Sequence, residues 1–351
     1  MYKELDKLFP MLKLPVQEHF PEIRDSHLEI QLLKNPEILD DINNFKKVFS
    51  KNGKESFIKS KYKFIDTLSD FIINSKFYEY FNNDYKMEFN APKKNKNHVV
   101  HFSTTNNIDD FYYIHVDIKS GNYNAFKYVA NNYKESYDSA NDSFTSDLLK
   151  TNSFEELFQV SIDRSGIILT DNEKEVFEII KKSKPIRQVV MGKLNSKKST
   201  DVLWRMITDF EKKFLNIINK YDISEDLITK IVQSQDEFTF AIPKSKFIDV
   251  SNFNNTFYKD LMEELSSLPV RVERYSFEII KEIKSSSKFD SKLYHVETIY
   301  DIHNNVLFEK LCGVPKKIYI PMFRKYILKE PLQDTDLYSQ DDGNIYKLVV
   351  L

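Results

Sequence analysis

One cysteine, one tryptophan and 6 glycines are all that this chain of 351 residues holds of those three types. A single cysteine, Cys312, excludes an intrachain disulfide and any zinc site built from several cysteines, and it suits a reducing compartment. Cys312 itself is expected to be a small packed side chain. No uninterrupted apolar run approaches the roughly 18 to 20 residues that a membrane span requires. Lys3, Glu4, Asp6 and Lys7 interrupt the segment from Met1 to Pro15, so it lacks a signal-peptide shape. The expectation is a chain without a membrane partner, placed in the cytoplasm, or in a viral factory, a virion or a host nucleus. The Walker phosphate loop, G-x-G-x-x-G and G-x-S-x-G are absent too, so P-loop hydrolysis, dinucleotide binding and serine hydrolase chemistry lack their signals. With a net charge of -2 there is no excess of one sign, and a nucleic-acid role has to rest on local patches.

What is present is apolar and aromatic. The chain is 41% hydrophobic, with 28 Phe and 20 Tyr, enough to bury a core despite a charged content of 30%. Abundant Lys, Asn, Ile and Tyr beside so little Gly suggest an AT-rich genome, such as that of a large virus or a phage. The patterning predicts an α+β chain in three regions: helical over 1–95, mixed strands and helices over 96–250, where the candidate catalytic residues lie, and β-rich over 251–351. Ile38, Ile42, Phe45 and Phe49 recur on one helical face after Pro36, with Gly53 as the stop. Phe57, Tyr62, Ile65, Leu68, Ile72 and Ile73 argue for a second helix.

From His98 the period changes. His98 to Phe102 and Phe111 to Asp117 read as strands, with a turn at Gly121 and a helix after it. A long helix is expected after Ser199 or Thr200 as cap, and a shorter one from Ser224 to about Val232. Alternation at Phe238 to Ile242 and at Val270 to Ile279 predicts strands around a helix near Phe257 to Leu265. Asn304-Asn305 and Asp342-Gly343 read as hairpin turns, and Asp163-Arg164 and Asp341-Asp342 as turn residues. His98, His101 and His115 are expected to be structural, since His98 and His101 do not share a strand face.

Three segments carry candidate chemistry. In the first, Val116 to Ala125, Asp117 closes a strand before a turn and helix. The second, Lys181 to Lys198, has seven cations in eighteen residues and no acid, which suits a triphosphate: Arg187 can grip phosphate bidentately, with Lys182, Lys184 and Lys193 as point charges. In the third, Val232 to Phe240, Asp236 and Glu237 sit at a turn. In this order the three resemble the palm motifs of template-directed nucleic-acid polymerases, the family A DNA polymerases in particular, over residues 98 to 245. The third is similar to a family motif of the type Q-V-H-D-E-hydrophobic-x-F, with Gln235 where the histidine stands. The family's glutamate soon after the first aspartate is absent, Asn122 or Tyr123 standing near its place, and the basic segment lacks the family's Tyr-Gly.

The resemblance implies an antiparallel palm-like sheet with helices. It also implies nucleotidyl transfer to a DNA or RNA 3' end through two Mg²⁺ or Mn²⁺ ions about 4 Å apart. Asp117 and Asp236 would be the metal ligands and Glu237 a supporting acid. The partners it implies are nucleic acid and nucleoside triphosphates, with other viral or replication proteins beside them. Two other classes stay open. One is a non-catalytic viral scaffold that binds nucleic acid or protein, favoured by the near-neutral charge and the departures from the motifs. The other is a two-metal nuclease using the same carboxylates without a basic triphosphate site.

Overall fold

The structure, a computed structural model, describes residues 47–48, 50–83, 102–103, 106–136, 142–182, 184–194, 197–283, 292–312, 322, 325–326, 329–333, 338–341 and 344–347. They fall into two compact units, each discontinuous in sequence. The first takes the described residues of 47–83 and 120–205, and the second those of 102–119 and 206–347.

The first unit is helical: α1 (Lys54–Ile73), α2 (Lys76–Asn83), α3 (Gly121–Ser136), α4 (Ser143–Lys150), α5 (Phe154–Ser165), α6 (Asp171–Lys182), α7 (Lys184–Lys193) and the start of α8 (Lys197–Lys220). Of the helix expected from Pro36 to Gly53, 36–46 and 49 lie outside the described residues; 47–48 and 50–52 are helical, and Gly53, with φ 73°, breaks the run before α1. The apolar stripe of α1 is buried at Phe57, Phe64, Ile65, Leu68 and Ile72. Phe64 meets Phe177 of α6 edge-on at 5.1 Å. Phe77, Phe81, Phe126 and Phe144 form a second aromatic knot. Ser153 caps α5 by accepting from the Glu156 N–H, and Gly166 ends it in the left-handed region. Asp163 and Arg164, expected in a turn, belong instead to the last turn of α5, where Arg164 forks onto Asp147 at 2.8 and 3.0 Å. Ser199 does not cap α8: it lies inside the helix and is buried.

The second unit is built on strands β1 (Phe111–Ile118), β2 (Thr229–Gln233), β3 (Glu237–Pro243), β4 (Val270–Ile283), β5 (Lys292–Tyr300) and β6 (Val306–Cys312). They form one sheet in the order β2-β3-β1-β4-β5-β6, antiparallel at every step. Between β3 and β4 lies a helical run of α9 (Val250–Phe253), a π-helical turn at Asn254–Tyr258 and α10 (Lys259–Leu265). Strand, helices, two strands, helix, strand, with β1 between β3 and β4, is the split β-α-β arrangement. A separate hairpin pairs β7 (Tyr338–Asp341) with β8 (Asn344–Lys347); the Asp342-Gly343 turn lies outside the described residues. The chain is therefore mixed α+β, and among the described residues no helix is long and apolar enough to cross a membrane.

Period-2 alternation gives the sheet two faces. Tyr112, Ile114 and Val116 of β1 share one face with their partners Ile242, Phe240 and Phe238. Phe214 of α8 covers it, stacked on Phe240 at 4.9 Å, and Phe253 stacks on Tyr112 at 4.1 Å. The opposite face is apolar around Tyr113, Ala241, Tyr275, Phe277 and Ile299, which pack with Phe102 and Ile231. Two expectations are corrected here. Residues 229–233 form a strand rather than a helix capped by Ser224, which precedes only a one-turn 3-10 helix at Glu225–Leu227. Thr229, Ile231 and Val232 are branched residues that suit a pleated edge better than a helix. Phe102, expected to end a strand, is helical and buried, while 98–101, with His98 and His101, lie outside the described residues.

Candidate carboxylate site on the sheet

Asp117 is the penultimate residue of β1, and the chain around it is held on both sides. The Ile118 N–H donates to the Asp236 carbonyl at 2.8 Å, and the Lys119 N–H donates to the Pro269 carbonyl at 2.8 Å. The strand end is thus clamped between the β2-β3 hairpin and the start of β4. Ser120, at φ 45°, then turns the chain into α3. In the hairpin, the Ser234 N–H donates to the Glu237 carbonyl at 2.9 Å and the Ser234 hydroxyl donates to Asp236 Oδ1 at 2.9 Å. That geometry closes a tight turn with Asp236 at its end and Glu237 as the first residue of β3.

The register then gathers the acids. Asp117 stands directly opposite Glu237 on one side and Arg271 on the other. Two residues along, His115 stands between Thr239 and Glu273 on the same face. Arg271 Nη2 lies 2.9 Å from Asp117 Oδ2, and its Nε lies 3.3 Å from Glu273 Oε1. His115 Nδ1 is 2.9 Å from the Thr239 hydroxyl, and its Nε2 is 3.7 Å from Glu237 Oε2. Asp117 and Glu237 keep 24% and 37% of their side-chain surface open to solvent. Asp117, Glu237 and Glu273 thus share one face at this end of the sheet with Arg271 and His115, and Asp236 precedes Glu237 at the turn.

Directly opposed like charges cost stability in a sheet, because their Cβ atoms are only about 4.5 to 5.5 Å apart. A cation that bridges them removes that cost. Carboxylate oxygens are the hard donors that Mg²⁺ and Mn²⁺ prefer, so the donor set fits such ions. In this structure Asp117 is turned to Arg271. Among the described residues, the set of three ligating side chains gathered within 4.8 Å lies elsewhere, on β5 and β6. The apolar neighbours do not compete as proton carriers: burial pushes the hydroxyls of Tyr113 and Tyr275 well above the ordinary phenol range.

The basic segment belongs to the first unit. Arg187 of α7 is ion-paired with Glu155 and lies over the Phe154 ring, with 5.9 Å from its Cζ to the ring centroid. Lys193 is paired with Asp66. Lys182 is exposed at the end of α6, and Lys184 is the first residue of α7. So Asp117, Asp236 and Glu237 come together in the second unit, while the four expected phosphate ligands sit on two consecutive helices of the first.

Sequence reasoning missed Thr239, Arg271 and Glu273, and it read His115 as structural alone. The signal was available for two of them. Arg271 and Glu273 break an otherwise apolar alternation at Val270, Val272, Tyr275 and Phe277, so they share a strand face. Only the pairing of β4 with β1 shows that this face is the one bearing Asp117. Comparisons with protein-family models, with curated proteins and with solved structures give no match.

Proposed function

We propose that the second unit carries a metal-dependent nucleotidyl-transfer site, adding nucleotides to the 3' end of a nucleic acid, with Asp117 and Asp236 as ligands of two Mg²⁺ or Mn²⁺ ions. The observation that carries the reading is the register that sets Asp117 opposite Glu237 and ties the β1 end to the Asp236 carbonyl. The motif resemblance puts Asp117 at a strand end and Asp236 at a turn; Asp117 stands opposite Glu237, and Asp236 meets the strand end through its backbone carbonyl. The split β-α-β order, with helices α3 to α8 between the strand of Asp117 and the hairpin of Asp236, also supports a polymerase palm.

Bound there, the ions would supply Lewis acidity for the attack of a sugar hydroxyl on a nucleotide α-phosphate. The chain's own residues do the positioning. Asp117, paired here with Arg271, would be a metal ligand, and Arg271, which also lies 3.3 Å from Glu273, would stand beside the site as a phosphate-binding fork. Glu237 and Asp236 hold the opposite side. Lys182, Lys184, Arg187 and Lys193, the triphosphate ligands expected from the sequence, belong to the first unit, where Arg187 and Lys193 are paired with Glu155 and Asp66.

Those same ion pairs favour a second reading, a scaffold of this shape that binds nucleic acid or protein without chemistry. Extension of a labelled primer, with and without template, using ribo- and deoxyribonucleotides and Mg²⁺ or Mn²⁺, separates the two. Extension lost in both Asp117→Asn and Asp236→Asn, with folding retained, supports transfer. Extension unchanged in both variants sinks the assignment, and none under any condition, with no metal-dependent thermal stabilisation by nucleotide, supports the scaffold.

A further inference from the structure

On the same sheet face, two strands beyond β1, three side chains of different ligand chemistry converge. His295 and Glu297 are two residues apart on β5, so both point the same way, and Cys312 on β6 is the direct cross-strand partner of His295. One ligand atom from each, an imidazole nitrogen, a carboxylate oxygen and the thiol sulfur, lies within 4.8 Å of the other two. His295 Nε2 and Glu297 Oε1 are 3.3 Å apart.

That spacing is a hydrogen bond in the metal-free chain and also the length of a zinc coordination edge. Ligands at Zn–N and Zn–O distances of about 2.0 to 2.1 Å in a tetrahedron are themselves about 3.3 Å apart, and a sulfur at about 2.3 Å stands about 3.5 Å from either. The His295–Glu297 edge therefore already has the length it would have around zinc, and the third corner needs a side-chain movement of about 1 Å. The strand that carries two of the ligands is interior, hydrogen-bonded to β4 on one side and β6 on the other, so the backbone frame is fixed. His295 and Glu297 are only 12% and 16% exposed, and the Phe277 ring meets the His295 ring edge-on at 5.5 Å. An apolar wall of this kind limits competing water.

We infer that His295, Glu297 and Cys312 form a zinc site, three protein ligands with the fourth position open to water. The donor set decides the metal class. A thiolate with an imidazole selects zinc-like ions over Mg²⁺ and Ca²⁺, which take oxygen. The sulfur binds as thiolate, so the Cys312 proton passes to solvent as the metal–sulfur bond forms. The site shares no residue with the Asp117–Asp236 reading and stands or falls without it.

Cobalt is the probe, because Co²⁺ takes zinc sites and a cobalt–thiolate bond gives a charge-transfer absorption. The full chain, stripped of metal and kept reduced with a phosphine, is titrated with Co²⁺ and then with Zn²⁺, with circular dichroism to verify folding. A charge-transfer band that saturates at one Co²⁺ per chain and that zinc removes is the expected result. Cys312→Ser abolishes the band. Glu297→Gln, which preserves side-chain shape, weakens binding by at least the ~10- to 100-fold known for losing an outer-shell partner. A folded wild-type chain that shows no charge-transfer band overturns the site. So does a band that survives Cys312→Ser, or an affinity that Glu297→Gln leaves unchanged. Since Mg²⁺ does not take the thiolate, failure here leaves the primer-extension result standing, and the reverse holds as well.

Discussion

Replacing Glu237 by Gln should make the metal-free protein more stable, the less common direction for a point substitution. Glu237 and Asp117 are direct cross-strand partners, and two charges about 5 Å apart repel by about 3 kcal/mol at an effective dielectric constant of about 20. Both side chains are partly solvated, at 37% and 24% exposure, and salt screens them further. Roughly 0.5 to 1 kcal/mol survives, in line with opposed like charges in sheets. Asp117→Asn relieves the same repulsion but loses the pair with Arg271, whose side chain is 52% exposed and which is therefore worth about 0.2 to 1 kcal/mol. The two effects offset, and the net change should lie within about 0.5 kcal/mol. Mg²⁺ separates the wild type from Asp117→Asn. At ten times its Kd an ion that binds only the folded state adds about 1.4 kcal/mol, a gain the wild type keeps and Asp117→Asn loses. Urea unfolding of all three proteins in chelator and in Mg²⁺ measures both terms. The reasoning fails if Glu237→Gln lowers the metal-free stability by more than about 0.5 kcal/mol, or if Mg²⁺ shifts all three proteins equally.

Phe214 is fully buried and touches Phe238, Phe240 and Phe257, so Phe214→Ala should cost about 3 to 5 kcal/mol in urea unfolding; a loss under about 1.5 kcal/mol would mean that α8 does not cover the sheet as described. The hydrogen bond from Lys63, at 2.7 Å, holds the Glu173 carboxyl below the ordinary carboxylate range, helped by the Thr170 N–H. A depressed folded pKa stabilises above the unfolded value and is lost as pH falls through the folded one. Glu173→Gln should therefore cost about 0.5 to 1 kcal/mol at pH 7 and progressively less below about pH 4, and a penalty that grows on acidification would contradict the sign.

Much of the sheet was legible because its strands announce themselves. Phe111 to Val116 is a run of aromatic and branched residues, and Phe238 to Ile242 alternates cleanly, so Asp117 and Asp236 could be placed at a strand end and a turn. The five residues from Thr229 to Gln233 were too short for periodicity to decide, and a Ser-led start looked like a helix cap. Ser199 misled for a related reason: a hydroxyl that can cap sits two residues inside α8, where Lys197 begins it. Arg271 could be read as sharing a strand face with Glu273, but its pairing with Asp117, 154 positions away, could not. The His295, Glu297 and Cys312 cluster was hidden by register. The hairpin at Asn304-Asn305 was foreseen, but an irregularity at Ile299/Tyr300 shifts the pairing, and a shift of one residue decides whether Cys312 faces His295 or the other side.

The position of β1 between β3 and β4 has a consequence for how the chain comes into being. Both of its hydrogen-bonding edges are satisfied by strands translated much later: Asp117 meets Glu237 about 120 residues on, and Arg271 later still. At about 5 to 20 residues per second, the ribosome needs on the order of 6 to 24 s to deliver even the first of them. Through that interval a strand of two tyrosines, a phenylalanine and branched residues offers two unpaired edges, the usual template for association with another nascent chain. The helices of the first unit, whose last residues are translated before β3, can pack in the meantime. The strand that positions Asp117 is thus the one that waits longest for a partner, and the yield of this protein depends on what shields it while it waits.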